Sequence, residues 1–327
     1  MRLHDLKWQR RKQPVFSAMT DRTGWRNVQV YNPTVLRVDG VYKMWFLGNA
    51  TATRTNDMNL GYAESADGLN WEEHAGNPVL TQEDLPWGGA WQTPHVIYDT
   101  EEDSYKMWFI MADTSRDEHN EVIFHEQRLG FGTSKDGLKW DIHPQPLDLK
   151  GRRPCVLKAD DGTYEMWMNS APEPDGDFRS MARHIFRFTS EDGLHWTRDG
   201  EPVVSATEKL RSMVYPFVHR DGLDHTLWYG CHVDGGLFEI YSSTSQDGAQ
   251  WTHHHDSPSF AATRNADDFD GRYTSTPCVL VEDDRYLMYY SARDLGNLYG
   301  AQDGTVRVDK DGIYRHIGVA TCERILK

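Results

Sequence analysis

Cysteine is scarce in this chain, four among 327 residues, and no two fall at a metal-ligand spacing. Cys155 and Cys278 follow equivalent prolines, whereas Cys231 and Cys322 share no pattern. That excludes a disulfide framework or zinc motif and leaves core thiols. Basic residues are also in deficit: 35 Lys and Arg stand against 50 Asp and Glu, for a formal net charge of −15. Phosphate backbones require a basic surface, so no nucleic-acid partner is expected. No apolar run is long enough to span a bilayer, so no membrane partner is expected either. The polar N-terminus lacks a signal-peptide core, and a cytoplasmic location is expected. Nothing in the sequence speaks to oligomeric state.

What is present is a repeat. A proline opens an apolar run at Asn32-Pro33-Thr34-Val35-Leu36, Thr93-Pro94-His95-Val96-Ile97, Arg153-Pro154-Cys155-Val156-Leu157, Tyr215-Pro216-Phe217-Val218 and Thr276-Pro277-Cys278-Val279-Leu280. These prolines are 60 to 62 residues apart. After each comes a turn and an aromatic-rich run, as in Tyr42-Lys43-Met44-Trp45 and Tyr105-Lys106-Met107-Trp108. Four repeats then carry Ser-x-Asp-Gly-x-x-Trp, ending at Trp71, Trp140, Trp196 and Trp251. Short strands at a fixed period of this size predict an all-β fold, a five-bladed β-propeller with four-stranded blades. The fifth repeat lacks its last strand, and Asp5-Leu6-Lys7-Trp8 supplies a matching phrase at the other end. The N-terminal strand is therefore expected to close the ring, with residues 1–327 forming one domain.

The links sort by face. Those between strands 1 and 2, and between 3 and 4, are short Asp-Gly hairpins whose carboxylates read as turn formers. The opposite face carries the long links, where ligand contacts concentrate on a rigid scaffold. Three columns of polar residues are expected to line a funnel there. The first is Asn59, Arg128, His184, Glu239 and His316. The second, preceding each proline, is Asn32, Thr93, Arg153, Tyr215 and Thr276. The third is Asn49, Ala112, Ala171, His232 and Arg293. Columns that differ repeat by repeat suit an asymmetric ligand.

The x-Pro-x-Val openings, Tyr-x-Met-Trp runs and Ser-x-Asp-Gly-x-x-Trp hairpins together resemble the five-bladed glycoside hydrolases of families 43, 32, 117 and 130, over essentially the whole chain. The resemblance implies an enzyme that cleaves a glycosidic bond in a small oligosaccharide, by hydrolysis or, as in phosphorylases, with inorganic phosphate. A sugar-binding propeller without catalysis is the reading from another class, and a lyase using Tyr215 or a histidine as base is a further one. Family 43 places an Asp before the first proline, an Asp after the second and a Glu two residues before the third. Here those places hold Asn32, His95 and Arg152, so that catalytic set does not carry over.

Glycosidic cleavage needs an acid and a base or nucleophile. Glu239 is the one carboxylate in the three columns and is the first candidate, with Asp113 and Asp270 next and Asp57, Glu126, Asp234 and Asp294 behind them. Arg128, Arg152, Arg153, Arg293, His184, His232 and His316 make the funnel basic within an acidic protein, which suits an acidic sugar or phosphate. Trp91, with Trp87, is a candidate for stacking on a sugar ring. No cofactor is expected; His95 stands where related propellers sometimes hold an axial metal ion.

Overall fold

The proline-opened phrases form the first strand of five antiparallel units in a computed structural model of the chain. It describes residues 3–21, 24–50, 58–87, 89–116, 122–173, 176–296, 298–300, 306–308 and 313–324. Two short strands, β1 (Gln9–Arg10) and β2 (Phe16–Ser17), precede the first unit, β3 (Gln29–Val38), β4 (Val41–Asn49), β5 (Asn59–Ser65) and β6 (Glu72–Glu73). The second is β7 (Ala90–Asp99), β8 (Ser104–Arg116), β9 (Val122–Ser134) and β10 (Asp141–Ile142). The third is β11 (Arg152–Lys158), β12 (Tyr164–Asn169), β13 (His184–Ser190) and β14 (Thr197–Ser205). The fourth is β15 (Val214–Asp221), β16 (Asp224–Val233), β17 (Leu237–Ser245) and β18 (Trp251–His254).

The fifth unit contains β19 (Tyr273–Val281) and β20 (Arg285–Arg293), followed in the chain by a hairpin of β21 (Leu298–Gly300) and β22 (Val306–Val308) and then β23 (His316–Glu323). Its third strand is β23, and β1 and β2 both pair antiparallel with it, Gln9 opposite Thr321 and Phe16 opposite Ile317. One parallel pair, Phe238 with Tyr273, joins the fourth and fifth units into a nine-stranded sheet. The fold is all-β, and its first strands pack against one another in the order β3, β7, β11, β15, β19 and back to β3.

Each first strand breaks register at its proline. Opposite Phe46, Phe109, Met168, Tyr229 and Tyr290 of the second strands, the first strands place two residues rather than one. This is a β-bulge, and proline fits it because the bulged position needs no ladder N–H. The residue before the proline sits in the left-handed region in every case: Asn32 (φ 59°), Thr93 (40°), Arg153 (55°), Tyr215 (61°) and Thr276 (48°).

One residue past each proline, a side chain reaches the next unit. Thr34 Oγ1 donates to the Pro94 carbonyl at 2.8 Å, and His95 Nε2 donates to the Val156 carbonyl at 3.0 Å. The Val218 N–H donates to Cys155 Sγ at 3.2 Å, and the Val35 N–H to Cys278 Sγ at 3.3 Å. Phe217 fills the remaining place by packing against three of the core clusters. Two of the scarce thiols are thus buried acceptors between units, and burial pushes Cys155 up to about 12.

Farther out, the two aromatic phrases interlock. In the second unit Ser134 Oγ accepts from Gly137 N (2.8 Å), and Asp136 Oδ1 accepts from the N–H groups of Leu138 (2.9 Å) and Lys139 (2.8 Å). These backbone donors hold Asp136 below the usual carboxylate range, so it is spent on the turn. The Gly137 carbonyl accepts the indole N–H of Trp45 from the first unit at 2.8 Å. Trp108 repeats this with Gly193 at 2.8 Å, and the Tyr289 hydroxyl does so with Gly68 at 2.6 Å. Gly137 has φ +77°, and a Cβ there would lie 2.7 Å from the Trp45 ring. Gly162 has a similar φ of +86° with open space around it. We expect Gly162→Ala to cost about 1 kcal/mol from backbone strain alone, and Gly137→Ala about 2–4 kcal/mol because the tryptophan must also shift. Urea unfolding measures both. Equal losses would mean that the contact between units contributes nothing.

Candidate functional site

The bulges decide what stands at the centre. All five residues that precede the prolines are buried, and Arg153, 1% exposed, donates from Nη1 to Asn32 Oδ1, bridging the third unit to the first. Asn32 in turn donates from Nδ2 to the Pro94 carbonyl at 3.2 Å, and the Thr93 hydroxyl accepts the Arg153 N–H at 3.2 Å. His95 lies beside this guanidinium. Burial, and then the Arg153 charge, pull its pKa down to about 3, so the ring is neutral. A metal ion at His95 would have to share the axis with Arg153, whose charge repels it. Among the described residues no group of three or more His, Cys, Asp or Glu is placed to hold a metal.

Above this floor, on the face of the long links, aromatic rings form an arc. Tyr31 stacks on Tyr314 (5.5 Å between centroids), Tyr314 meets Tyr273 (5.7 Å), and Tyr273 meets Phe238 (5.9 Å). Phe238 contacts His232 edge-on at 4.2 Å and Tyr215 at 6.1 Å. Two arginines face the arc: Arg152 lies 5.8 Å from the Tyr215 ring and Arg293 lies 5.4 Å from that of Tyr273. Arg152 Nη2 also donates to the Tyr215 hydroxyl at 3.4 Å, with the Tyr31 and Tyr314 phenols in electrostatic reach. Gln92 Oε1 accepts from the Tyr31 hydroxyl at 3.2 Å. Most of the arc is buried (Tyr31, Tyr215, Phe238, Tyr314 and Arg293); the half-exposed Arg152 and Tyr273 and the exposed His232 are what it presents to a ligand, a cation beside an aromatic ring and suited to a polar ligand that carries negative charge.

Several expected site residues stand elsewhere. Trp91 is fully buried against Phe109 at 4.2 Å and donates its indole N–H to the Thr81 carbonyl at 2.7 Å, so it belongs to the core and offers no face to a sugar. Asp270, 2% exposed, is bound by Arg10 and by the Tyr290 hydroxyl (2.9 Å); it ties β1 to the fifth unit and is spent on structure. Glu239 is 1% exposed, and its partner is Arg264 at 3.0 Å rather than Arg128 or Arg153. The side chain of Asp113 lies outside the described residues, as does Asp57.

The first column fails as a lining for a common reason. Its members top the third strands, two strand spacings or about 10 Å outward from the first strands. Arg128 pairs with Glu126 on its own strand, His184 Nδ1 bonds Ser205 Oγ at 2.8 Å toward the outer strand, and Asn59 is half-buried opposite Gly48. His316 is the exception. Its Nε2 meets Asp294 Oδ2 at 3.2 Å, while Arg315 Nη2 meets Asp294 Oδ1 at 3.1 Å. Burial alone would raise Asp294, yet the His316 bond and the Arg315 charge outweigh it and hold the carboxyl below its ordinary value. Its side chain is 20% exposed, so it is ionised and reachable.

Sequence reasoning missed Tyr31, Gln92, Tyr273, Tyr314 and Arg315. A usable signal existed for two of them: Tyr31 and Gln92 occupy the same place before the bulge as Arg152, a fourth column that varies by repeat. On the opposite face, a depression of about 580 Å³ is lined by Thr163, Ser190, Asp192 and His195. These belong to the hairpin turns.

No family model matches the chain. A curated protein of Mycobacterium tuberculosis is 27% identical over 178 residues, which are 51% of this chain and 58% of that protein. The chain therefore spans little more than half the length of the curated relative it matches. Among solved structures, one described as a glycoside hydrolase aligns over 98% of this chain and 93% of its own, with TM-score 0.70 and 17% identity. A family 130 enzyme, from a group of mannoside phosphorylases that includes glycoside hydrolases targeting β-1,2 mannosidic linkages in Candida mannan, aligns over 97% and 93% with TM-score 0.67 and 16% identity. A thermostable family 43 glycoside hydrolase covers 88% and 93% with TM-score 0.60 and 17% identity. The chain thus has the fold of the propeller glycoside hydrolases, as its repeated motifs implied.

Because His95 is held neutral, the unfolded chain binds a proton there at pH values where the folded chain does not. Stability from this residue is complete above its unfolded pKa of about 6.5 and is lost as pH falls from there toward 3. From pH 7 to pH 5 the loss should be about 2 kcal/mol. His95→Gln keeps a donor for the Val156 carbonyl without the titration. Its urea stability should fall less over that interval, and an unchanged pH slope would contradict the assignment.

Proposed function

We propose that the chain is a single-domain, closed five-bladed β-propeller that acts as a carbohydrate-active enzyme, cleaving a glycosidic bond in a small oligosaccharide. The pairing of β1 and β2 with β23 and the cyclic packing of the first strands support closure. The observation that carries the function is the aromatic arc with Arg152 and Arg293 beside it, on the long-link face of a fold shared with glycoside hydrolases. The half-exposed Tyr273 ring and the exposed His232 supply surface for a sugar, backed by the buried tyrosines behind them.

Asp294 is the base or nucleophile in this reading. It is ionised and partly exposed, and it follows directly on Arg293, which flanks the arc. Asp113, whose side chain lies outside the described residues, is the sequence-based candidate for the partner acid. A second reading is a sugar-binding propeller without turnover, favoured by the burial of Glu239 and Asp270 against arginine partners.

Release of reducing ends from neutral and acidic oligosaccharides, with and without phosphate, tests the proposal, and dependence on phosphate would identify a phosphorylase. Asp294→Asn should lower turnover a hundredfold or more, as loss of a general base or nucleophile does. Glu239→Gln should leave turnover nearly intact and cost about 1–3 kcal/mol of stability through its Arg264 partner. Full activity in the Asn variant, or an inactive but folded Gln variant, would reverse the assignment. Binding without turnover on every sugar would favour the second reading.

A further inference from the structure

Arg153 is a buried cation whose counter-charge the described residues do not provide. Its side-chain partner is the neutral Asn32 amide oxygen, and no carboxylate among the described residues lies within ion-pair distance of it. Its Nε has no hydrogen-bond partner among them. Two other buried arginines have carboxylate partners: Arg26 meets Glu73, and Arg315 meets Asp294. Cys155, Cys278, Tyr215 and Tyr31 are within electrostatic reach of Arg153, and burial holds the two thiols protonated. His95 beside it is neutral as well. A lone buried charge is expensive, and proteins meet the cost with a paired group or a bound ion.

The neighbouring residue points the same way. Arg152 and Arg153 are consecutive, the bulge lies between Arg152 and Cys155, and Tyr215 and Tyr31 are close to both guanidinium groups. Arg152 is only half-buried and bonds the Tyr215 hydroxyl at the floor of the aromatic arc. Arg152 and Arg153 thus share Tyr215 and Tyr31 as electrostatic neighbours at the end of the axis. Arginine forks match the oxygens of planar or tetrahedral oxyanions, and phenol O–H groups add donors.

We propose that this floor is an oxyanion site, in which Arg152 and the Tyr215 hydroxyl contact the ligand and Arg153 supplies the uncompensated positive charge beneath it. The oxyanion is either the carboxylate of an acidic sugar or inorganic phosphate. The inference deepens the functional reading by naming the charge of the ligand, and it holds whether or not the chain turns sugar over.

Thermal unfolding tests it without an activity readout. The full chain is scanned in sodium chloride at fixed ionic strength, then with a glucuronic acid disaccharide, a neutral disaccharide or inorganic phosphate replacing part of the salt. At ten times Kd, an oxyanion should raise Tm by about 2 °C for a chain of this size. Arg152→Gln should abolish that rise while keeping any response to the neutral disaccharide. Arg153→Gln should also abolish it, the rise being read against that variant's own Tm in chloride because the Asn32 bridge is altered as well. A rise with glucuronate alone assigns the site to a sugar carboxylate, and a rise with phosphate alone assigns it to free phosphate. The proposal is overturned if neither exceeds chloride, or if the Arg152→Gln response equals that of wild type. Failure of the functional reading would look different: the oxyanion response would stand while no oligosaccharide is cleaved.

Discussion

A left-handed residue placed directly before a proline is the constraint on which the rest of this molecule depends. Each of the five instances costs on the order of 1–2 kcal/mol for an L-residue. Their sum rivals the 5–15 kcal/mol by which a whole domain is stable. Such strain persists only where the surroundings over-determine it. Here they do, because the bulge that creates the strain also aims the side chains that hold the units together. Past the proline, Thr34, His95, Cys155 and Cys278 reach the backbone of the next unit; before it, Asn32 and Arg153 join across the axis. Strain and cohesion come from one local geometry.

The same geometry explains why polar chemistry gathers at the centre. An unbulged strand would continue its strict alternation, with every second residue turned toward a neighbouring sheet. Inserting a residue resets that alternation near the axis, so Arg152 and Arg153 can serve the same region despite being consecutive. Outside the bulge the alternation resumes and the units pack through aromatic pairs such as Trp45 with the turn at Gly137. The outer contacts recur, with Trp45, Trp108 and Tyr289 each bonding a glycine carbonyl of a neighbouring turn, whereas the inner ends are individual.

This division sets what could be read from sequence. The repeat, the Asp-Gly turns and the contribution of the N-terminal segment to the last unit were legible because they recur, and recurrence needs no coordinates. The column before each proline was legible as a column, although its left-handed backbone was not: proline normally pushes its predecessor toward extended geometry. The site was harder. Counting back from Asp-Gly found equivalent residues, but equivalence carries no radius, and Arg128 and His184 turned out to stand on third strands away from the axis. Trp91 and Asp270 were candidates because they fall on the long-link face, yet each is consumed by a partner distant in sequence, Phe109 and Arg10. The tyrosine arc was hard to see because it joins Tyr31 of the first repeat to Tyr273 and Tyr314 of the fifth at unrelated offsets, and only Tyr31 shares a place before the bulge with Arg152.

Fold and reaction part company at the axis. Where the resembled family 43 pattern carries three carboxylates, this chain has Asn32, His95 and Arg152: a neutral amide, a histidine held neutral and a cation. Arg153 adds a second cation in the same place. A glycosidic transition state develops positive charge on the sugar ring, and carboxylates stabilise it. Two guanidinium groups under the sugar would oppose that charge instead, so bond cleavage centred on the floor is electrostatically disfavoured. The chemistry is better served at the rim, where Asp294 is ionised, while the floor is better suited to gripping a negative group on the ligand. On the proposed reading the group that binds and the group that reacts stand apart, and the ligand must reach from the axis to the end of β20. On that same reading, ligand length as well as charge sets which oligosaccharides fit.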